Sequence, residues 1–239
     1  MTIHRPGLPE DLPAPDVLWA RWSTIAIVTA EDDEARGRYP TGCWLDSGAA
    51  LRLDDSGCTW WTLVRYDGGR AVLYGEDESS GVKWHEPPVD MLAGGPDWLP
   101  YEKLRDLLEG YELGCVYWYE NGSWARAPYP EDLDDDGLDC GMSRFADREK
   151  AVDELVGYLD WAIDHATAEA LMTHAEQGTL TRQVLDAFFT ELTELTESEG
   201  AEEPEGATAP QGDGRRSGAS PAMAEALRRS GLDAGAVRA

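Results

Sequence analysis

The stretch that decides the fold is CVYWYENGSWARAP, residues 115–128. Two runs rich in aromatic residues flank its central Asn-Gly pair, and Asn-Gly in that setting is the strongest short-range signal of a β-hairpin. A two-residue loop places Tyr119 opposite Trp124 and Tyr117 opposite Arg126 on one face, because directly opposed residues share a face of the sheet. The stretch therefore predicts an antiparallel hairpin with aromatic faces.

Other strand signals lie upstream of this hairpin. CTWWTLVRY (58–66) and RAVLYG (70–75) flank a glycine-containing loop and predict a second hairpin. Trp60 and Trp61 are adjacent, so their side chains must point to opposite faces of the sheet. Two further apolar runs are also predicted as strands: WSTIAIVTA (22–30) and AALRLD (49–54).

Helical signals follow a different spacing. Residues 100–108 read as a helix inserted between the hairpins, with proline in its first turn and Gly110 just past its end. Beyond residue 141 the apolar period becomes 3.6, which predicts a long helix over about 147–176 and, after a break at Gln177–Thr179, a second helix to about 197. Strands gathered before helices predict an α+β fold: an antiparallel sheet of about five to seven strands with an inserted helix, followed by a C-terminal helical hairpin.

The chain divides by composition into an arm, a domain and a tail. The tail contains no aromatic residue and too few large apolar side chains to offset the entropy of ordering, so we expect it to be disordered and removable without loss of stability. A short helix at 221–229 within it would be marginal alone. The predicted units are an extended arm (1–16), a single domain (17–197) with a sheet part (about 17–130), an acidic loop (131–141) and a helical part (about 145–197), and the tail (198–239).

The charge balance excludes several classes of protein. The chain carries 47 acidic and 20 basic residues, a formal net charge of −27. Direct binding to nucleic acid or to an anionic membrane needs Lys and Arg on the surface, so neither is expected. No apolar run is long enough to cross a membrane and residues 1–16 lack the apolar core of a secretory signal, so we expect a cytoplasmic chain whose four cysteines are buried free thiols.

One acidic run has the spacing of a metal loop. Asp132, Asp134, Asp136 and Gly137 reproduce the opening of an EF-hand calcium loop, in which acids at positions 1, 3 and 5 converge on the cation. Position 12, which should be a bidentate Glu, is Ser143. We therefore expect a solvated acidic loop and no cofactor, with weak binding of a divalent cation by the three aspartates as the alternative.

Catalytic motifs are absent from the sequence. It contains no GxSxG, HExxH, Walker or Rossmann pattern, and the Gly94-Gly95 pair lacks the context of a phosphate loop. His85 beside Glu86 is a candidate for acid–base chemistry or metal binding, but no second histidine stands at ligand spacing. The sequence leaves enzymatic activity open and favours a protein without it.

The aromatic hairpin suggests a binding role. One face of the sheet is expected to pack on the helices, and the other is either covered by loops or exposed as an aromatic patch ringed by acids. Trp, Tyr and Arg dominate binding hot spots, so we expect a small acidic protein-binding module of the immunity or antitoxin class that docks a basic partner through Tyr117, Tyr119, Trp124 and Arg126. The alternatives are an acidic inhibitor that mimics nucleic acid and a metal-dependent enzyme that uses the Asp132–Asp139 loop.

Overall fold

The fold is α+β, as the sequence predicts. The computed structural model describes residues 2–31, 35, 37, 39–48, 50–159, 163–199 and 218–233, with the side chains of 193–199 excepted. Six strands form one antiparallel sheet in chain order: β1 (Gly42–Leu45), β2 (Leu51–Asp54), β3 (Thr59–Tyr66), β4 (Arg70–Asp77), β5 (Cys115–Glu120) and β6 (Ser123–Arg126). Within these described ranges lie seven α-helices: α1 (Pro15–Val28), α2 (Tyr101–Glu109), α3 (Leu138–Ala146), α4 (Arg148–Tyr158), α5 (His165–Glu176), α6 (Arg182–Glu199) and α7 (Pro221–Ser230).

Helix α1 corrects the prediction of a strand at 22–30. Its side chains are buried all round the axis: Trp19, Trp22 and Ile25 are each at most 1% exposed. A helix buried on every side has no polar stripe, so its sequence lacks the 3.6-residue period and resembles a buried strand. The sheet part accordingly begins at Gly42 instead of near residue 17. Among the described residues no helix is long and apolar enough to cross a bilayer.

The predicted long helix over 147–176 is two helices. Asp147 caps α4 by accepting hydrogen bonds from the amides of Glu149 and Lys150, and Asp164 caps α5 by accepting one from the amide of Thr167. The second cap starts a new helix, in which Leu171 and Met172 are buried and Ala166 is exposed. Helix α3 likewise begins inside the segment predicted as the acidic loop. The predicted break after α5 and the helix that follows it are confirmed.

Both faces of the sheet are buried, each by a different part of the chain. The first face packs on the helical layer, and Trp61, Leu63 and Leu73 belong to that core. The second face, which includes Val72 and Trp118, is covered by the segment between β4 and β5, which contains α2. The sequence left open whether loops cover this face, and over β3 to β5 they do.

Helix α7 belongs to the first core. Met223 and Leu227 are at most 1% exposed there, and the indole Nε1 of Trp19 donates a 2.9 Å hydrogen bond to the carbonyl of Ser230. Arg229 donates to the main-chain carbonyls of Leu45 and Asp46. The short helix expected at 221–229 is confirmed, but the expectation of disorder is wrong for residues 218–233. Residues 200–217 and 234–239 of the predicted tail lie outside the described residues.

Removing apolar contacts of α7 should destabilise the whole fold. We expect Leu227→Ala to lower the free energy of unfolding by about 2–5 kcal/mol, the usual cost of truncating a fully buried leucine. Arg228→Ala is the matched control, because Arg228 is exposed and pairs only within its own helix, with Glu225. Urea denaturation measures both, and equal midpoints for the two variants would show that α7 is not part of the core.

The close approach of α3 to β3 should depend on one glycine. A Cβ at Gly141 would overlap the indole of Trp61, whereas one at Gly157 in α4 would meet nothing. We expect Gly141→Ala to cost about 1–3 kcal/mol from overpacking and Gly157→Ala to be neutral or stabilising by up to about 1 kcal/mol, because alanine is the better helix former. Thermal melts of both variants test this, and a stable Gly141→Ala protein would refute the tight packing.

Candidate partner-binding surface

The predicted binding face is occupied by the chain's own N-terminal segment, residues 2–14. The Tyr117 hydroxyl lies 2.9 Å from the carbonyl oxygen of Gly7, and Arg126 Nε donates to the same oxygen at 2.9 Å. Trp124 Nε1 donates a 2.7 Å hydrogen bond to the carbonyl of Pro13. Tyr117 is fully buried and Trp124 is 7% exposed, so this face offers no open surface to a partner.

The remaining predicted residue of that face, Tyr119, is half-buried. Its ring contacts Trp124 edge-on with ring centroids 5.3 Å apart, and it packs against the first core. Arg126 is also half-buried, with its guanidinium 3.8 Å from the ring centroid of Tyr129. The structure therefore brings the four predicted residues together as a peptide-binding face, but the peptide is residues 2–14 of the same chain.

Asp11 fastens this N-terminal segment. It accepts hydrogen bonds from the amides of His4 and Leu8, and its carboxylate lies 2.7 Å from the His4 ring. Burial alone would raise the pKa of Asp11, but these hydrogen bonds outweigh it and the pKa lies below its usual value. The segment is therefore held best when Asp11 is ionised.

Acidification should weaken this fastening. A depressed folded pKa stabilises the protein above the unfolded pKa of about 3.9, and this stabilisation is lost as pH falls through the folded pKa. We expect Asp11→Asn to lower the free energy of unfolding by about 1.5–3 kcal/mol at pH 7 and much less near pH 3. Urea denaturation at both pH values tests this, with the exposed neighbour Glu10→Gln as control, and an equal loss at both pH values would contradict it.

The three aspartates proposed as metal ligands do not converge. Asp136 is 1% exposed and faces inward, where it accepts a hydrogen bond from the amide of Gly7 and contacts Tyr117. Asp132 and Asp134 are exposed on the loop. No group of three or more potential ligands lies close enough to hold a metal ion among the described residues. The EF-hand opening is thus used as a structural turn that buries its third acid.

His85 pairs with Asp132 rather than with Glu86. Its two ring nitrogens lie 2.8 Å from the carbonyl oxygen of Pro87 and 3.1 Å from the Asp132 carboxylate. These two hydrogen bonds raise the pKa of His85 above its usual value. A histidine with both nitrogens engaged by acceptors favours the protonated form, which is unsuited to act as a general base.

The cysteines are free thiols, as expected, but only Cys43 and Cys115 are buried. Burial raises the pKa of Cys43 to about 12 and that of Cys115 well above its usual value. Cys140 is half-buried, and its pKa is raised by burial as well. A hydrogen bond with Glu78 raises the pKa of the exposed Cys58. Nucleophilic cysteines have lowered pKa values, so none of the four has the environment of a catalytic thiol.

The second face of the sheet is open at one end. No residue of β1 or β2 belongs to the core on that face. Trp44 pairs with Arg52 and Asp54 pairs with Trp60, so these side chains stand on the same face, and all four are half-buried. The covering segment reaches β3 and leaves this end uncovered.

A groove of about 600 Å³ runs over this open end. We call it the open-end groove. Tyr39, at one wall, is 81% exposed. The indoles of Trp44 and Trp60 supply the largest apolar surfaces, and Asp54 adds a carboxylate. The groove is lined by Tyr39, Pro40, Thr41, Trp44, Asp54, Ser56, Gly57, Thr59 and Trp60.

The open-end groove carries acidic side chains. Asp54 accepts a hydrogen bond from the amide of Ser56 and pairs with no base among the described residues. The neighbouring Asp55 has a lowered pKa, because hydrogen bonds from the amides of Thr59 and Cys58 outweigh the effect of its burial. Arg52, the nearby base, is held by Asp46 at 2.9 Å. Within the described residues, the groove therefore presents the carboxylate of Asp54 without a basic partner beside aromatic rings.

A second exposed aromatic pair lies beyond the groove on the same side of the sheet. Trp84 and Tyr111 are 70% and 67% exposed, and their rings are nearly parallel with centroids 6.5 Å apart. The ion pair of Lys83 with Glu76, the cross-strand neighbour of Trp60, separates this pair from the groove.

No family model, curated protein or solved structure matches the chain. The geometry described above is therefore the evidence on which a function can be proposed. Sequence reasoning identified Trp60 as pointing away from Trp61, and the burial of the two residues confirms that alternation. It missed Tyr39, Trp44 and Asp54 as site residues. β1 has four residues and no detectable period, so its sequence carries too little signal to place Trp44 on a strand.

Proposed function

We propose that the chain is a small acidic protein-binding module that docks a basic partner through the open-end groove. The observation that carries this proposal is the groove itself: two half-buried tryptophans on strands and the exposed Tyr39 lie beside a carboxylate that has no basic partner among the described residues. This keeps the class expected from the sequence, a cytosolic module of the immunity or antitoxin kind, and moves its binding surface from the β5–β6 hairpin to β1–β3.

The aromatic side chains support a protein ligand. Tyr39, Trp84 and Tyr111 are three of the four exposed large hydrophobic side chains among the described residues. Tyr39 lines the groove, and Trp84 stacks on Tyr111 beyond it. Exposed aromatic residues that cluster together mark interaction sites, and Trp and Tyr are enriched at binding hot spots. Trp44 and Trp60 stand on strands, so they need little ordering when a partner binds.

The charge supports a basic partner. A net charge of −27 attracts positively charged surfaces over distances near the Debye length. Within the groove Asp54 lacks a basic partner among the described residues, so a bound cation would gain an ion pair without breaking one. An acidic or neutral partner would leave that carboxylate desolvated and unpaired, which is unfavourable.

The two alternatives make different predictions. A metal-dependent enzyme using the Asp132–Asp139 loop has less support, because Asp136 is turned inward and bonded to Gly7 and Tyr117. An inhibitor that mimics nucleic acid would bind a DNA-binding protein through rows of carboxylates, and its affinity would be indifferent to the groove tryptophans. A partner whose binding depends on Trp60 therefore separates a groove-based module from a mimic.

Retention of proteins from an extract of the source cell tests the proposal. We expect the immobilised chain to retain a basic protein that Trp60→Ala fails to retain, because the substitution removes a central anchor of the groove. Trp98→Ala is the matched control: Trp98 is also half-buried on the second face, but it packs against Tyr66, six residues along β3 from Trp60.

The retained protein should associate more slowly as salt is added. Raising the ionic strength from 0.01 to 0.15 M shortens the Debye length from about 30 to about 8 Å, so the association rate constant should fall while Trp60→Ala mainly raises the dissociation rate constant. Equal retention by wild type, Trp60→Ala and Trp98→Ala, an acidic retained protein, or a salt-independent association rate would each contradict the proposed function.

A further inference from the structure

We propose that the open-end groove takes an arginine side chain of the partner, with the guanidinium stacked on the indoles of Trp44 and Trp60 and paired with Asp54. This inference rests on the proposed function and names the chemical group that the groove recognises. It commits to arginine in an exposed protein segment, and recognition of a lysine ammonium or of a neutral planar side chain is an alternative outcome of the test.

The register of the strands places the three groups within reach of one ligand. Asp54 and Trp60 are directly opposed on neighbouring strands, a pairing that puts their Cβ atoms about 4.5–5.5 Å apart. Trp44 pairs with Arg52, two residues before Asp54 on the same face, so it stands diagonally to Asp54. Gly42, opposite Asp54 on β1, adds no side chain to fill the space. A carboxylate therefore lies between two indoles.

Arg52, the nearby basic residue, does not form an ion pair with Asp54. Arg52 is already engaged by Asp46 and donates a 2.8 Å hydrogen bond to the hydroxyl of Thr62, which is fully buried. Among the described residues that line the groove, none is basic. Trp60 packs edge-on against Tyr74, with ring centroids 6.1 Å apart, and is half-buried like Trp44. Neither indole carries a stacked cation within the part of the chain described, so an incoming guanidinium would meet the exposed parts of both rings and a carboxylate.

The same chain shows how guanidinium groups pack on its aromatic rings. The guanidinium of Arg65 lies 4.0 Å from the ring centroid of Trp19, and that of Arg126 lies 3.8 Å from the centroid of Tyr129. Both sites are filled by arginines of the chain itself, and Arg65 also pairs with Asp16 at 3.6 Å. The open-end groove offers the same combination of an aromatic ring and a carboxylate as the Arg65 site.

Shape and charge together favour arginine over lysine. A guanidinium is planar, stacks on indole rings and can donate two hydrogen bonds to a carboxylate, and it is more weakly hydrated than an ammonium ion. A lysine ammonium is a compact point charge that would satisfy Asp54 without covering the flat indole surfaces. An apolar side chain would cover the indoles and leave Asp54 unpaired.

Titration with single amino-acid amides tests the inference without a known partner. The full chain, labelled with ¹⁵N, is titrated at 0.15 M salt with Nα-acetyl-arginine amide, Nα-acetyl-lysine amide and the neutral isostere Nα-acetyl-citrulline amide, each to about 10 mM, in the range expected for weak ligands. We expect arginine to shift the indole N–H resonances of Trp44 and Trp60, lysine to bind at least threefold more weakly, and citrulline to leave the resonances unmoved.

Two isosteric variants separate the site from general charge attraction. Asp54→Asn should weaken arginine binding at least tenfold, whereas Asp67→Asn, the same change at the exposed turn at the far end of β3, should leave it unchanged. Both substitutions preserve side-chain size, so the fold is retained, and the unshifted remaining resonances verify this. Equal effects of the two variants, equal binding of citrulline, or no shift with arginine would overturn the inference.

The two proposals fail in distinguishable ways. If a basic protein is retained through Trp60 but arginine amide shifts neither indole, the groove is a docking surface with a different recognition chemistry and the arginine inference is wrong. If arginine binds as described but no basic protein is retained through Trp60, the proposed function is wrong and the groove recognises guanidinium in another setting.

Discussion

A six-stranded meander with two apolar faces needs two covers, and this requirement organises the whole molecule. Three segments far apart in sequence, residues 2–14 with α1, the helices α3 to α6, and α7, assemble over the first face. The segment between β4 and β5 supplies most of the second cover, which lies over β3 to β6 and includes no residue of β1 or β2. The open-end groove follows from that limited reach, because β1 and β2 extend the sheet beyond its cover.

Local pairing was predictable from sequence because it depends on neighbours in the chain. The register of the β5–β6 hairpin, Tyr119 opposite Trp124 and Tyr117 opposite Arg126, matches the prediction from the Asn-Gly turn. Helix α1 was not predictable in the same way. Its burial on every side depends on elements distant in sequence, and a uniformly apolar run with β-branched residues fits a buried strand equally well.

The C-terminal segment, residues 218–233, also depends on contacts with residues distant in sequence. Composition indicates correctly that residues 218–233 could not form a core alone, since they contain few large apolar side chains. They are ordered because Met223 and Leu227 complete a core that Trp19 and its neighbours build. The carbonyl of Ser230 accepts hydrogen bonds from Trp19 Nε1 and from Arg65, which ties the end of α7 to the rest of the fold. The composition of a segment indicates how much apolar surface it can bury by itself. It does not reveal whether other parts of the chain form a surface against which the segment packs.

The contacts of the predicted binding face could not be foreseen for a related reason. Tyr117, Trp124 and Arg126 were expected to dock a basic partner as hot-spot residue types, and in the structure they bond to the carbonyls of Gly7 and Pro13. Sequence could not tell that this face binds the chain's own N-terminal segment, because that requires bringing together residues more than 100 positions apart.

In the proposed function, the acidic charge of the surface and the indoles of β1–β3 act at different stages of binding. Charge distributed over the surface accelerates encounter with any basic molecule and discriminates little among them. In the proposed function, the groove adds what charge lacks, a fixed arrangement of two rings and one carboxylate that suits a flat cation. Discrimination among basic partners would then depend on the geometry of three neighbouring strands.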